Sequence, residues 1–223
     1  MSASESKDGQ PVFEYRTLRL LVGIVTFALP LFVLIFSSFT PLSSISVSYH
    51  TGARDIFVGS LFMIGTLLIA YRGYDPIENR IANLGAAAAI VAALCPTARD
   101  LHPIDTMAVI HALAGVVLFS TIAYFCLGPF KQSAKKRNNA KAKRRARMYT
   151  VCGWVIIVCI LVVAIVQIPA AVEFKTGWLL AFWAEFIALW AFSFAWIVAS
   201  KLLPSFSDKD ERLILSWKFW KRK

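Results

Sequence analysis

The chain has 223 residues, 58% of them hydrophobic and only 17% charged, and its mean hydropathy of +0.63 excludes an ordinary water-soluble domain. Its net charge of +11 would point to nucleic acid in a soluble protein, but the basic residues cluster between apolar runs, as they do in the loops of membrane proteins. Four cysteines, Cys95, Cys126, Cys152 and Cys159, lie in or beside apolar runs without CxxC spacing, which argues against a disulfide framework or a thiolate metal site.

Residues 1–16 are polar and are expected to form a tail. The first apolar run, about 18–39, has the ~20 residues that cross the ~30 Å of hydrocarbon in a bilayer. It is longer than the apolar part of a signal peptide and no A-x-A site follows. Pro30 within it predicts a kink, because proline removes a backbone donor. A second span is expected at about 55–71, ended by the turn RGYDP. The third, about 81–97, is rich in Ala and Gly; small side chains let helices approach closely in lipid, so this helix is expected to be central. The fourth is placed at about 107–130. A basic loop follows, with nine Lys and Arg and no acid between Lys131 and Arg147. The fifth and sixth spans are placed at about 148–168 and 178–203, and residues 204–223 form a basic tail.

The fold class is therefore an all-α integral membrane bundle of six transmembrane helices. Charge sets its orientation. Of the 24 Lys and Arg, three precede or open the first span, two lie in residues 72–80, nine in the basic loop and seven from Lys201 onward. Only Arg54, Arg99 and Lys175 fall on the other side. The positive-inside rule then places both termini in the cytoplasm. The basic loop, and a tail ending RLILSWKFWKRK that reads as an interfacial amphipathic helix, predict contact with anionic headgroups on the inner face. Membrane lipids are the expected partners, with a protein partner or a second copy of the chain as alternatives.

The outer face gathers the unusual chemistry. All three histidines, His50, His102 and His111, belong to it, as do Asp55, Asp100 and Asp105. Glu185 lies eight residues into the sixth span and is the one carboxylate clearly within the membrane; such groups usually face a bundle interior or a wet cavity. Imidazoles and carboxylates converging there can bind zinc and activate a water for attack on an ester or amide, with Asp55 as base. Alternatively, His50 and His102 are loop residues and His111 is a hydrogen-bonded helix histidine. Arg54 can grip a lipid phosphate or carboxylate through its planar fork, or simply pair with Asp55 at a helix start favoured by the dipole. Glu185 sits among Trp178, Phe182, Trp183, Phe186 and Trp190 and calls for a partner, for which His111 and Arg54 are candidates.

The stretches YHTGARDIFVG, YRGYDPIENRIANLGA, ALCPT and IHALAGVVLF resemble a family of uncharacterised bacterial polytopic membrane proteins over most of residues 17–200. That family is distantly similar to the CREST membrane hydrolases, which include the alkaline ceramidases and the adiponectin-receptor group. The resemblance implies a bacterial inner-membrane location. The more distant one implies a zinc-dependent hydrolase of a lipid amide or ester, with His50, Asp55 and His111 in the site and Ser46 or Ser48 beside them. The chain departs from that group in lacking an HxxxH in its late helices, so that Glu185 would replace a ligand, and in having six expected helices rather than seven. Two functions follow: a non-enzymatic membrane protein binding lipid or a partner through an outer-leaflet pocket, and a zinc-dependent lipid hydrolase. A transporter is a third, since Pro30 can mark a broken helix.

Overall fold

The computed structural model describes residues 15–38, 42–73, 75–98, 105–166 and 176–213, and their regular structure is entirely helical. The long helices are α1 (Tyr15–Phe36), α2 (Arg54–Ala70), α3 (Pro76–Leu94), α4 (Thr106–Phe125), α6 (Ala140–Val166) and α7 (Thr176–Ala199). A 3₁₀ turn, Ser46–His50, precedes α2. A π-helical stretch, Cys126–Phe130, carries α4 into the short α5, Lys131–Lys135. Five helices are long and apolar enough to cross a membrane: Tyr15–Phe36, Pro76–Leu94, Thr106–Lys135, Ala140–Val166 and Leu179–Ala199. The second expected span, α2, has 17 residues.

The six long helices form a closed ring, each packed on the next and α7 returning to α1. Leu29, Phe57, Ile64, Leu68, Ile122, Phe182 and Phe192 fill its centre. The small residues of α3 act as expected in one respect, since they bring α3 close to both neighbours. A Cβ added at Gly65 of α2 would come within 2.9 Å of Ile90, and one at Gly85 within 2.7 Å of Thr121 on α4. The helix is not central, however. Leu84 and Leu94 are exposed, so α3 is one stave of the ring with an outer face like the others. The aromatic helix α7 also divides: Trp183 and Trp190 face outward, while Phe182, Phe192 and Trp196 are buried. Pro30 lies inside α1, which runs through it unbroken to Phe36.

The expected basic loop 131–147 is mostly helix. Only residues 136–139 separate α5 from α6, and Lys141 to Arg147 form the first turns of α6. Lys, Arg and Ala are strong helix formers, so the helices outlast the apolar runs that reveal them. Residues 200–213 fold back over this end. Glu211 takes Arg137 at 3.0 Å, Arg145 at 3.2 Å and Lys201 at 3.4 Å, while Asp210 meets Arg137 at 2.7 Å. Arg16 of α1 donates to the Glu211 carbonyl at 2.9 Å. The part of the tail read as basic is thus docked through its acids, and residues 214–223 lie outside the described ones. Beneath the network, Arg19 rests over the rings of Tyr71 and Phe130 and donates to the Tyr71 hydroxyl.

Lys201 follows α7 in a left-handed backbone conformation, φ 65°, which stops the helix. Burial, together with the nearby Arg145 charge, pushes its ammonium down from 10.5 to about 8 against the pull of Glu211. The folded form therefore binds this proton less tightly than the unfolded chain, so Lys201 makes stability rise with pH between about 8 and 10.5. Lys201→Met should flatten that rise, measured as the difference in unfolding midpoint between variant and wild type across the window.

Candidate functional site

At the end of the ring opposite the basic cluster, the geometry starts from Pro96. Proline has no N–H, so the carbonyl of Ala92, four residues earlier, loses the helical donor it would otherwise have. His111 of α4 supplies it. Its Nδ1–H donates to the carbonyls of Ala92 and Cys95, both at 2.9 Å. The imidazole is buried, with the Phe57 ring 6.1 Å away. With Nδ1 as donor, the uncharged ring keeps Nε2 as an acceptor. His50 treats the same chain end similarly, its Nε2–H donating to the Thr97 carbonyl at 2.7 Å. Both described histidines thus finish α3.

Glu185 lies nine residues into α7, ~13 Å along the helix at ~1.5 Å per residue. Its partner is neither His111 nor Arg54. The Oε2 atom accepts the backbone N–H of Ser46 at 3.1 Å. Glu185 therefore caps the 3₁₀ turn from across the ring and ties the 42–53 connection to α7. Backbone donors are invisible in a sequence, which is why a cationic partner was expected instead.

Arg54 and Asp55 stand apart from this centre. Both are exposed at the first turn of α2, and Arg54 lies over the Tyr49 ring, 4.7 Å from its centroid, donating to the Tyr49 hydroxyl at 3.2 Å. Asp55 occupies the first turn, where the helix dipole favours a carboxylate. Ser48 is fully buried, and its hydroxyl has no partner among the described residues.

Ser46, His111 and Glu185 do come together, around a cavity of about 410 Å³ between α4, α6 and α7. Ser44 and Thr97 add polar atoms at its end, and the remaining walls are apolar. Ala108 and Ala112 of α4 face Cys159 and Val163 of α6, with Ala184 and Ala188 of α7 behind. Val109, Leu113 and Val116 line it and are also exposed on the flank of the ring, so among the described residues it opens sideways, past α4. The opening follows from how α4 and α6 meet. Near the basic end they touch closely, since a Cβ on Gly153 would come within 2.6 Å of Leu127. Farther along they part, and the gap is the cavity.

Zinc does not fit this arrangement. Among the described residues no three His, Cys, Asp or Glu side chains gather to hold a metal ion. His111 keeps its Nε2 atom as an acceptor, but no two further ligands gather with it, since His50 turns its Nε2–H to the Thr97 carbonyl and Asp55 is exposed at the first turn of α2. His102 lies outside the described residues. The chemistry on offer is instead that of a binding pocket: a long apolar wall, with a carboxylate, an imidazole acceptor and hydroxyls at one end. Comparisons with protein-family models, curated proteins and solved structures found no match.

Proposed function

We propose that the protein is an integral membrane protein of six spanning helices with both termini in the cytoplasm, whose outer cavity binds a membrane lipid that enters from the side. The observation that carries this reading is the cavity between α4, α6 and α7. It is apolar along its length, polar where Ser46, His111 and Glu185 meet, and bordered by exposed side chains on the flank of the ring. A ligand arriving from water would meet this flank last; a lipid chain in the bilayer would meet it first. Glu185 and the His111 Nε2 atom accept hydrogen bonds, so a lipid that carries a hydroxyl or amide N–H partway along its length suits them.

The orientation rests on charge. Lys131–Arg147 and the residues from Lys201 onward carry most of the positive charge, and Arg54, at the start of α2, is the only Lys or Arg between Arg19 and Arg72. A reporter phosphatase fused after Ala98 should be active and one fused after Asn138 inactive. If α2 does not span, the Ala98 fusion falls silent. For the ligand, the detergent-purified protein should retain lipid in stoichiometric amount by mass spectrometry. Ala112 is exposed on the cavity wall, so Ala112→Trp should release that lipid while the protein still unfolds in one cooperative transition. Equal retention by both proteins would overturn the reading.

A further inference from the structure

The cavity does not end at its polar group. A second, inner cavity of about 50 Å³ lies toward the centre of the ring, and Ser46, His111, Gly115, Phe119 and Glu185 border both. Beyond these shared residues the inner walls are apolar, built by Leu29, Phe57, Leu61, Ile64, Leu118 and Ile122 among others.

Gly115 differs from the glycines that pack helices. A Cβ placed on Gly23, Gly65, Gly85 or Gly153 would come within 3.0 Å of a neighbouring helix, so those glycines exist to let helices touch. A Cβ on Gly115 meets nothing within 4 Å. Glycine lowers helix propensity and leaves this site without side-chain contacts, and no close approach requires it. What it leaves is space, at the point where the two cavities adjoin.

We propose that Gly115 holds open a neck between the two chambers, and that the ligand is a lipid presenting a single unbranched alkyl chain, whose terminal carbons occupy the inner chamber. This rests on the lipid-binding reading and specifies it. The inner walls offer no polar partner past Ser46, His111 and Glu185, so whatever lies there is apolar. A headgroup would lose its hydrogen bonds there. A fused-ring lipid is broader than the gap left by one absent side chain. An alkyl chain end meets both demands, and by filling the void it restores dispersion contacts that the lining otherwise lacks.

The test is photolabelling of the full-length protein in vesicles with two single-chain acyl probes, one with a diazirine at the chain terminus and one at mid-chain. In the wild type the terminal probe should label peptides spanning Phe57–Ile64 or Leu118–Ile122, and the mid-chain probe should label Cys159–Ala164. Gly115→Leu should lower the ratio of inner labelling to labelling of Cys159–Ala164 about tenfold or more, the scale of an overpacked apolar site. A second measurement needs no variant. In the wild type, a terminal probe shortened by a few carbons should still label Cys159–Ala164 and no longer reach Phe57–Ile64. Labelling confined to the outer cavity whatever the chain length would overturn the neck while leaving lipid binding intact. Labelling at neither the outer nor the inner cavity would overturn both.

Discussion

Replacing Glu211 by glutamine is expected to lower stability by about 3 kcal/mol, at the bottom of the range for breaking a buried ion pair. Glu211 is the shared anion of Arg137, Arg145 and Lys201, at 3.0, 3.2 and 3.4 Å. Of these, the Arg145 side chain is only 1% exposed and also donates to the Phe206 carbonyl. Neutralising the hub leaves a buried guanidinium beside a mostly buried ammonium, both out of reach of full hydration. The comparison that isolates the cause is Arg145→Met. Alone it should destabilise less, since Glu211 keeps two other cations. Combined with Glu211→Gln it should recover part of the loss, because the stranded charge has gone. Denaturant unfolding of the detergent-purified protein measures all three. Additive losses in the double variant would show that the two residues act independently.

Loss of His111 should be felt nearly as strongly. His111→Ala removes the donor to the buried carbonyl of Ala92 and the partly buried one of Cys95, and a buried ring; a buried group left unsatisfied costs ~1–3 kcal/mol. About 3 kcal/mol in total is expected. The specific signature is rescue by Pro96→Ala, which gives position 96 an N–H able to reach the Ala92 carbonyl. Pro96→Ala in the His111→Ala background should restore about 1 kcal/mol, and in the wild type should restore nothing. If the two substitutions add without interaction, His111 does not stand in for the missing proline donor.

That pairing marks what the sequence could and could not tell. Long apolar helices were legible because hydrophobic length is a local property, whereas the cavity that Ser46, His111 and Glu185 line together depends on how separate helices pack. The proline ending α3 and the histidine in α4 were both visible, but their relation depends on the two residues sharing a level in adjacent helices. The Arg54–Asp55 pair drew attention for being charged beside an apolar run, yet charge at a helix start needs no partner and both residues face outward. Net charge misled in the opposite sense at residues 204–213. A tail counted as basic is held by Asp208, Asp210 and Glu211, because docking depends on where each sign sits rather than on the total. Small residues were read as signs of close approach. For the third helix that holds at Gly85, while a Cβ on Gly115 of α4 would meet nothing within 4 Å, and no local signal separates the two uses.

The contact of Gly153 with Leu127 has a mechanical consequence. Two rods pressed together near one end and separated near the other behave as a lever with its fulcrum at the contact. Val163 lies ten residues beyond Gly153, ~15 Å along α6, so a tilt of roughly 4° about that fulcrum displaces it by ~1 Å. A small tilt at the Gly153 contact is therefore magnified into a change in the width of the cavity about half a bilayer away.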